Sequence, residues 1–342
     1  MKKSTLLAEI VPAKIVVGLL GGLMLTLIWA AFNFEGNAYP QKPHNVPIAA
    51  VGPSPAVDQL AAALQRGDGF RVITSSSEAK ALRLVGTRRA DAIINLNTHQ
   101  LQTAQVASTL TPQALEQIFS SPNSRFHLTT TDIKPFAPGD PTPVGLFFLT
   151  LGAVLGGLPG GAAFALLSKK RRPDSLADAG IRFGVIAAYS GLQGLLMALI
   201  AGDLILGYSG HALVVIWVWG ALLCAASMTT TVAGIAAFGP PGLAFSLLPI
   251  MDFGVPAAPA PGPWNWEPGL FRVLGPFDPF GATTNALHNG IYFRAASQAQ
   301  NVEVLAGWIL VPLLILVTLG YVAQRRPGST PDGLPAQLAP SG

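Results

Sequence analysis

The placement of long apolar runs constrains this chain more than any other feature. One run occupies residues 15–32, about a hundred mostly polar residues follow, and further apolar runs crowd residues 143–326. A helix needs ~20 apolar residues to cross the ~30 Å hydrocarbon core of a bilayer. The pattern therefore predicts a membrane-embedded chain rather than a soluble enzyme. Charge agrees: 11% of residues are Asp, Glu, Lys or Arg, against ~25% in soluble domains. Cys224 is the single cysteine, which excludes an intrachain disulfide and a cysteine-built metal cluster.

Six transmembrane helices are expected. The first, residues 15–32, follows a cytoplasmic N-terminus of residues 1–14 with Lys2, Lys3 and Lys14. A cleaved signal peptide is the rival reading, but signal h-regions run ~7–15 residues and this run is longer. Residues 143–326 carry five more. These are 144–167, followed by Lys169-Lys-Arg-Arg172, then 183–206, 213–238, a short run 243–253 after Gly239-Pro-Pro-Gly242, and 304–323 before Arg325-Arg326. Basic residues beside short loops stay in the cytoplasm. With six spans all three basic clusters fall on one side; with five the last pair does not. The expectation is a multi-pass protein of the plasma or inner membrane with both termini cytoplasmic. Residues 327–342, rich in Pro, Gly and Ser, read as a disordered cytoplasmic tail.

Residues 33–142 then form a small extracytoplasmic α/β domain inserted after the first helix. Strands are expected at 46–51, 70–74 and 92–95. Val57, Leu60, Ala61 and Leu64 recur at helical spacing. A second helix runs to Val85, capped by Ser75, Ser76 or Ser77, with Glu78 in its first turn. A third covers 112–119 with Pro112 near its start. Strand–helix alternation defines the class. Asp58, Asp68, Glu78 and Asp91 are scattered, and His44, His99 and His127 lack metal-ligand spacing. Arg88-Arg89 reads as a solvated helix end in preference to an anion site. The sequence contains no Gly-Xaa-Ser-Xaa-Gly elbow and no phosphate loop. The expectation is a packing or recognition module, with no catalytic residue, cofactor, metal or nucleic acid. The proline-dense stretch 132–143 is a stiff connection to the bilayer.

In lipid, small residues let helices approach. Gly152, Gly156 and Gly160 repeat every four residues, and Gly157 and Gly161 repeat one step on. Close packing is the first reading of these rows and a flexible gate the second. The candidate pathway or gate residues are Gly156, Gly160, Gln193 (the most central polar residue of its span), Asp252 and His288. The extracytoplasmic loop 254–303 carries Trp264, Trp266, Phe271, Phe277, Phe280, Tyr292 and Phe293. It reads equally as a re-entrant cap over a pathway or as an interfacial anchor. No acidic residue lies at mid-depth, which argues against ion-coupled transport.

The order of these features resembles the membrane subunits of type-2 ABC exporters, nearest the phage-infection-protein branch and its actinobacterial relatives. Asp132-Ile-Lys-Pro135 leads through Gly139-Asp140 into Gly145-Leu-Phe-Phe-Leu-Thr-Leu-Gly-Ala153, like that family's entry into its second span. Gly239-Pro-Pro-Gly242 resembles its turn into the fifth. Pro276-Phe-Asp-Pro279, Asn285-Ala-Leu-His-Asn289 and Tyr292-Phe293 resemble the loop before its sixth. The likeness extends from Ile15 to Arg326. It departs at His288, where the family pattern has an arginine, and at the short loop 168–180, where only Asp174 to Ala179 is available for a coupling helix. The resemblance implies an export permease for amphipathic or envelope-associated substrates, a separate ATPase subunit, and a homodimer or heterodimer. The alternative is a non-transporting cell-surface receptor or envelope-assembly scaffold.

Overall fold

The structure, a computed structural model, describes residues 41–65, 68–120, 126–142, 144–260 and 262–325. The expected first span and the C-terminal tail lie outside the described residues.

The first described part is a five-stranded sheet with helices on both faces. Its elements are β1 (Val46–Val51), α1 (Ser54–Leu64), β2 (Phe70–Ser75), α2 (Glu78–Gly86), β3 (Ala92–Asn95), β4 (Gln100–Thr103), α3 (Leu110–Phe119) and β5 (Thr129–Asp132). The strand order is β2-β1-β3-β4-β5. β1 runs parallel to β2 and β3, β3 and β4 form an antiparallel pair, and β5 lies parallel to β4. Side chains alternate across a strand, so β1 feeds two cores. Val46, Ile48 and Ala50 meet Leu60, Leu64 and Leu115 on one face. Ala49 and Val51 meet Ala81 and Val85 on the other. Burial on both faces explains the near-continuous apolar run of β1. Ser77 caps α2 by accepting the Lys80 N–H, and Glu78 accepts from Asn95 and Gln102, tying the helix to β3 and β4.

The remainder is mostly helical. Among the described residues, four helices are long and apolar enough to cross a membrane: α4 (Val144–Leu167), α5 (Leu176–Met197, prolonged by a π-helical Ala198–Ile205), α6 (His211–Phe238) and, after α7 (Pro279–Tyr292), α8 (Ala299–Gln324). Contacts fix their directions. Gly152 faces Met197 and Gly160 faces Tyr189, so α4 and α5 are antiparallel. Gly157 lies on Cys224 and Gly161 on Met228, so α4 and α6 run parallel. Leu176 at the start of α5 bonds Gln324 at the end of α8, so these two are antiparallel. The two glycine rows thus divide the work. Gly156 and Gly160 admit α5, while Gly157 and Gly161 bring α6 so near that an added Cβ at Gly157 stands 2.8 Å from the Cys224 carbonyl.

Since α6 and α8 point the same way, the chain must return between them. It does so along α6 itself. Pro240–Leu243 is a 3₁₀ turn, Ala244–Ser246 a single α-turn, and Leu247–Phe253 π-helical. Gly242 packs main chain to main chain on Gly234, and Ser246 Oγ lies 2.8 Å from Thr231 Oγ1. The expected fifth transmembrane helix, 243–253, is therefore not a span-length helix. Gly239 (φ 74°) ends α6, and Pro249 removes an N–H donor inside the return that a regular helix needs, so the ladder breaks into three kinds of turn.

A second correction concerns the connection from α4 to α5. The stretch Asp174 to Ala179 is no separate coupling helix. Ser175 caps α5 by accepting the Asp178 N–H, so these residues form that helix's first turn. The Arg182 guanidinium donates to the Lys170 and Arg171 carbonyls, and Arg172 donates to the Ala236 and Ala237 carbonyls at the end of α6. Those carbonyls lack intrahelical partners, and a cation there also complements the helix dipole.

Candidate functional site

Two features merit description as sites: a junction between the sheet and the helices, and a groove along the side of the helices.

The junction is made by the aromatic segment. Trp266 leaves the helices and enters the core under α1 and α3, edge-on to Phe70 with ring centroids 6.2 Å apart, its Nε1 donating to Thr111 Oγ1 at 3.2 Å. Phe293 enters the opposite core, beneath the Arg88 guanidinium at 4.9 Å and the Lys134 ammonium at 5.1 Å. Lys134 also donates to the Tyr292 carbonyl, and Tyr208 OH donates to Asp140 while lying 2.8 Å from Tyr292 OH. Arg88 is consequently no solvated helix end. It is half-buried, takes a left-handed φ of 60°, and donates to the Ala107 carbonyl. The aromatic segment is neither a free cap nor a plain lipid anchor: two of its rings complete the two cores of the α/β unit.

Burial in this junction shifts its carboxyls upward. Glu267 is 1% exposed and its carboxyl is pushed up to about 7, because burial disfavours the charge. The sign follows directly. The folded chain holds this proton more tightly than the unfolded chain, so stability falls as pH rises from about 4.5 toward about 7. Glu267→Gln is expected to remove that part of the fall, raising the melting temperature at pH 8 and leaving it nearly unchanged at pH 4.5. A pair of pH–melting curves checks this.

The groove lies between α6 and α8 and has a volume of about 730 Å³, within the ~300–1,000 Å³ range of ligand sites. Ala233, Gly234 and Ala237 form one wall, and Val304, Gly307 and Val311 the other. Phe238 stacks on Phe245 at 4.7 Å at one end. At the other, Trp308 Nε1 donates to the Phe277 carbonyl, and Gln300 and Glu303 supply the polar groups. Pro312 has no N–H, so the Trp308 carbonyl loses its helical donor. Thr230 Oγ1 from α6 lies 3.4 Å from that carbonyl and joins the two walls.

The expected pathway residues fall in three other places. Gly156 and Gly160 are covered by Gln193 and Tyr189, whose side chains donate to the Gly152 and Gly156 carbonyls at 3.1 Å. This is helix packing. Asp252 is buried in the π-helical return. His288 is buried at the junction, its Nδ1 3.3 Å from the Val106 carbonyl, and its ring is held toward the neutral form, with a pKa of about 4, by burial and by Arg88. None of the five lines the groove. Glu303, Gly307 and Trp308 went unmarked in the sequence. Their signal was an acidic side chain immediately before the last apolar run and a glycine one turn inside it.

No protein-family model, curated protein or solved structure matches this chain.

Proposed function

We propose that this is a permease-like integral membrane protein of the plasma or inner membrane that handles amphipathic substrates through the lateral groove. The groove carries the reading: a large apolar furrow with polar groups at one end, cut into helices whose exteriors are apolar. Leu310 and Leu314 of α8 are 60% and 66% exposed, and Leu204 beyond α5 is 81% exposed. Such surface is costly in water and ordinary in lipid. In this proposal residues 15–32 supply a first span and the broken return 240–258 acts as a fifth crossing. That makes six crossings, with both termini cytoplasmic and the α/β unit extracytoplasmic. Irregular backbone at membrane depth is tolerated where protein buries it, and the return packs on α6.

A separate ATPase would meet the short basic loop, where Lys169, Lys170 and Arg171 are exposed. The same loop favours the second reading, a non-transporting receptor or envelope-assembly scaffold, since Arg172 is bound to helix-end carbonyls and no coupling helix projects among the described residues. Purification from native membranes discriminates the two. Recovery of an ATPase whose turnover rises at least several-fold when this chain is added in proteoliposomes, with transbilayer movement of a labelled amphiphile, supports the permease. A preparation with no ATPase and no movement assigns the scaffold.

A further inference from the structure

We propose that the groove between α6 and α8 binds one acyl chain of an amine-bearing membrane lipid, with the headgroup amine held by the Glu303 carboxylate. The inference rests on reading α6 and α8 as bilayer-spanning helices. Length is the first argument. Glu303 to Ile315 is twelve residues along α8, ~18 Å at 1.5 Å per residue. One leaflet of a ~30 Å hydrocarbon core is ~15 Å deep, so the furrow accommodates a single leaflet's chain. Polarity is the second. From Val304 onward the walls are apolar apart from Thr230, whose hydroxyl is taken up by main-chain carbonyls, and the charged and amide side chains gather at the opposite end from Phe245.

Charge complementarity selects the headgroup. Glu303 is exposed and has no salt-bridge partner among the described residues. A carboxylate there attracts an ammonium and repels a purely anionic headgroup. Gln300 lies one turn earlier on the same helical face, farther from the chain site, where its amide oxygen offers the same ammonium a second acceptor. Space completes the case. A Cβ added at Gly307 touches nothing within 4 Å, so the missing side chain widens the furrow and does not serve packing inside the protein.

The test is lipid retention by the full chain, read by native mass spectrometry after exposure to equimolar phosphatidylethanolamine and phosphatidylglycerol. The wild-type chain is expected to keep the ethanolamine lipid preferentially. Glu303→Gln should cut that retention about tenfold, the scale of a charge-assisted hydrogen bond, with little change for phosphatidylglycerol. Gly307→Leu should abolish retention of both by filling the furrow, with a melting temperature no lower than that of the wild-type chain as the check on folding. Equal retention of the two lipids by wild type, indifference to Glu303→Gln, or full retention in Gly307→Leu overturns the proposal. So does a dimer that Gly307→Leu splits into monomers, because the occupant is then a second copy. Retention reads binding alone, so a failure of ATPase coupling or transport leaves its outcome untouched.

Discussion

Replacing Trp266 by alanine is expected to loosen the α/β unit at one of its two anchored cores and destabilise it by ~3–5 kcal/mol, the usual cost of emptying a large aromatic site. The indole is 3% exposed inside a core otherwise built chiefly by β1, β2, β3, β4, α1 and α3. Its loss removes the edge contact with Phe70 and leaves Thr111 Oγ1, itself buried, without the Nε1 donor. Trp266→Phe separates the two contributions. It keeps most of the packing and gives up the hydrogen bond, so ~1 kcal/mol is the expected cost. Amide hydrogen exchange across residues 46–103 provides the measurement. Protection of β1 and β2 should collapse in the alanine variant and fall slightly in the phenylalanine variant. Unchanged protection in Trp266→Ala would mean that the Trp266 indole does not hold this core together.

The second large effect is expected at Gly234. A Cβ there clashes with the Gly242 carbonyl oxygen, a main-chain atom that no rotamer change can move aside. Overpacking ordinarily costs ~1–3 kcal/mol, and a backbone clash belongs at or above the top of that range. Gly234→Ala should push the 240–253 return away from α6 and break the Thr231–Ser246 hydrogen bond, a contact of 2.8 Å. In detergent the variant is expected to lose its monodisperse peak and much of its thermal stability. Gly307→Ala is the matched control: the same mutation on a neighbouring helix meets no atom within 4 Å, and it should raise stability slightly through helix propensity. Equal behaviour of the two alanines would remove the close approach as an element of the fold.

These two positions show what the sequence makes legible. β1 and β3 coincide with expected strands because burial on both faces makes them apolar runs, while β2, a partly exposed edge strand, is legible from its β-branched Val72, Ile73 and Thr74. β4 (Gln-Leu-Gln-Thr) and β5 (Thr-Thr-Thr-Asp) were not read. β5 is largely exposed and neither strand carries an apolar run; pairing with β3 defines β4, and pairing with β4 defines β5. The glycine rows at 152–161 were legible as close packing, since four-residue spacing maps onto one helical stripe. Which row meets which neighbour was not, for spacing names a face but no partner. The same limit hid the junction. Trp266 and Phe293 were visible as aromatics near a membrane boundary, yet their partners, Phe70 and Arg88, lie some two hundred residues earlier. Run 243–253 misled because its hydropathy suits lipid while Pro249 in its middle does not suit a regular helix. The groove had the weakest signal of all, because it exists only where α6, the return and α8 meet.

The claim beneath all of this is that α4, α5, α6 and α8 lie in a bilayer with the basic 169–172 loop on the inner side and the α/β unit on the outer side. Single-cysteine labelling tests it most directly, since Cys224 is the only native thiol and is buried. In a Cys224→Ala background, Asp58→Cys places an exposed thiol on α1 and Lys170→Cys places one in the loop. The account predicts that a membrane-impermeant maleimide labels position 58 on intact cells and position 170 only after lysis. Labelling of position 170 on intact cells, or recovery of the chain in the soluble fraction without detergent, would contradict it.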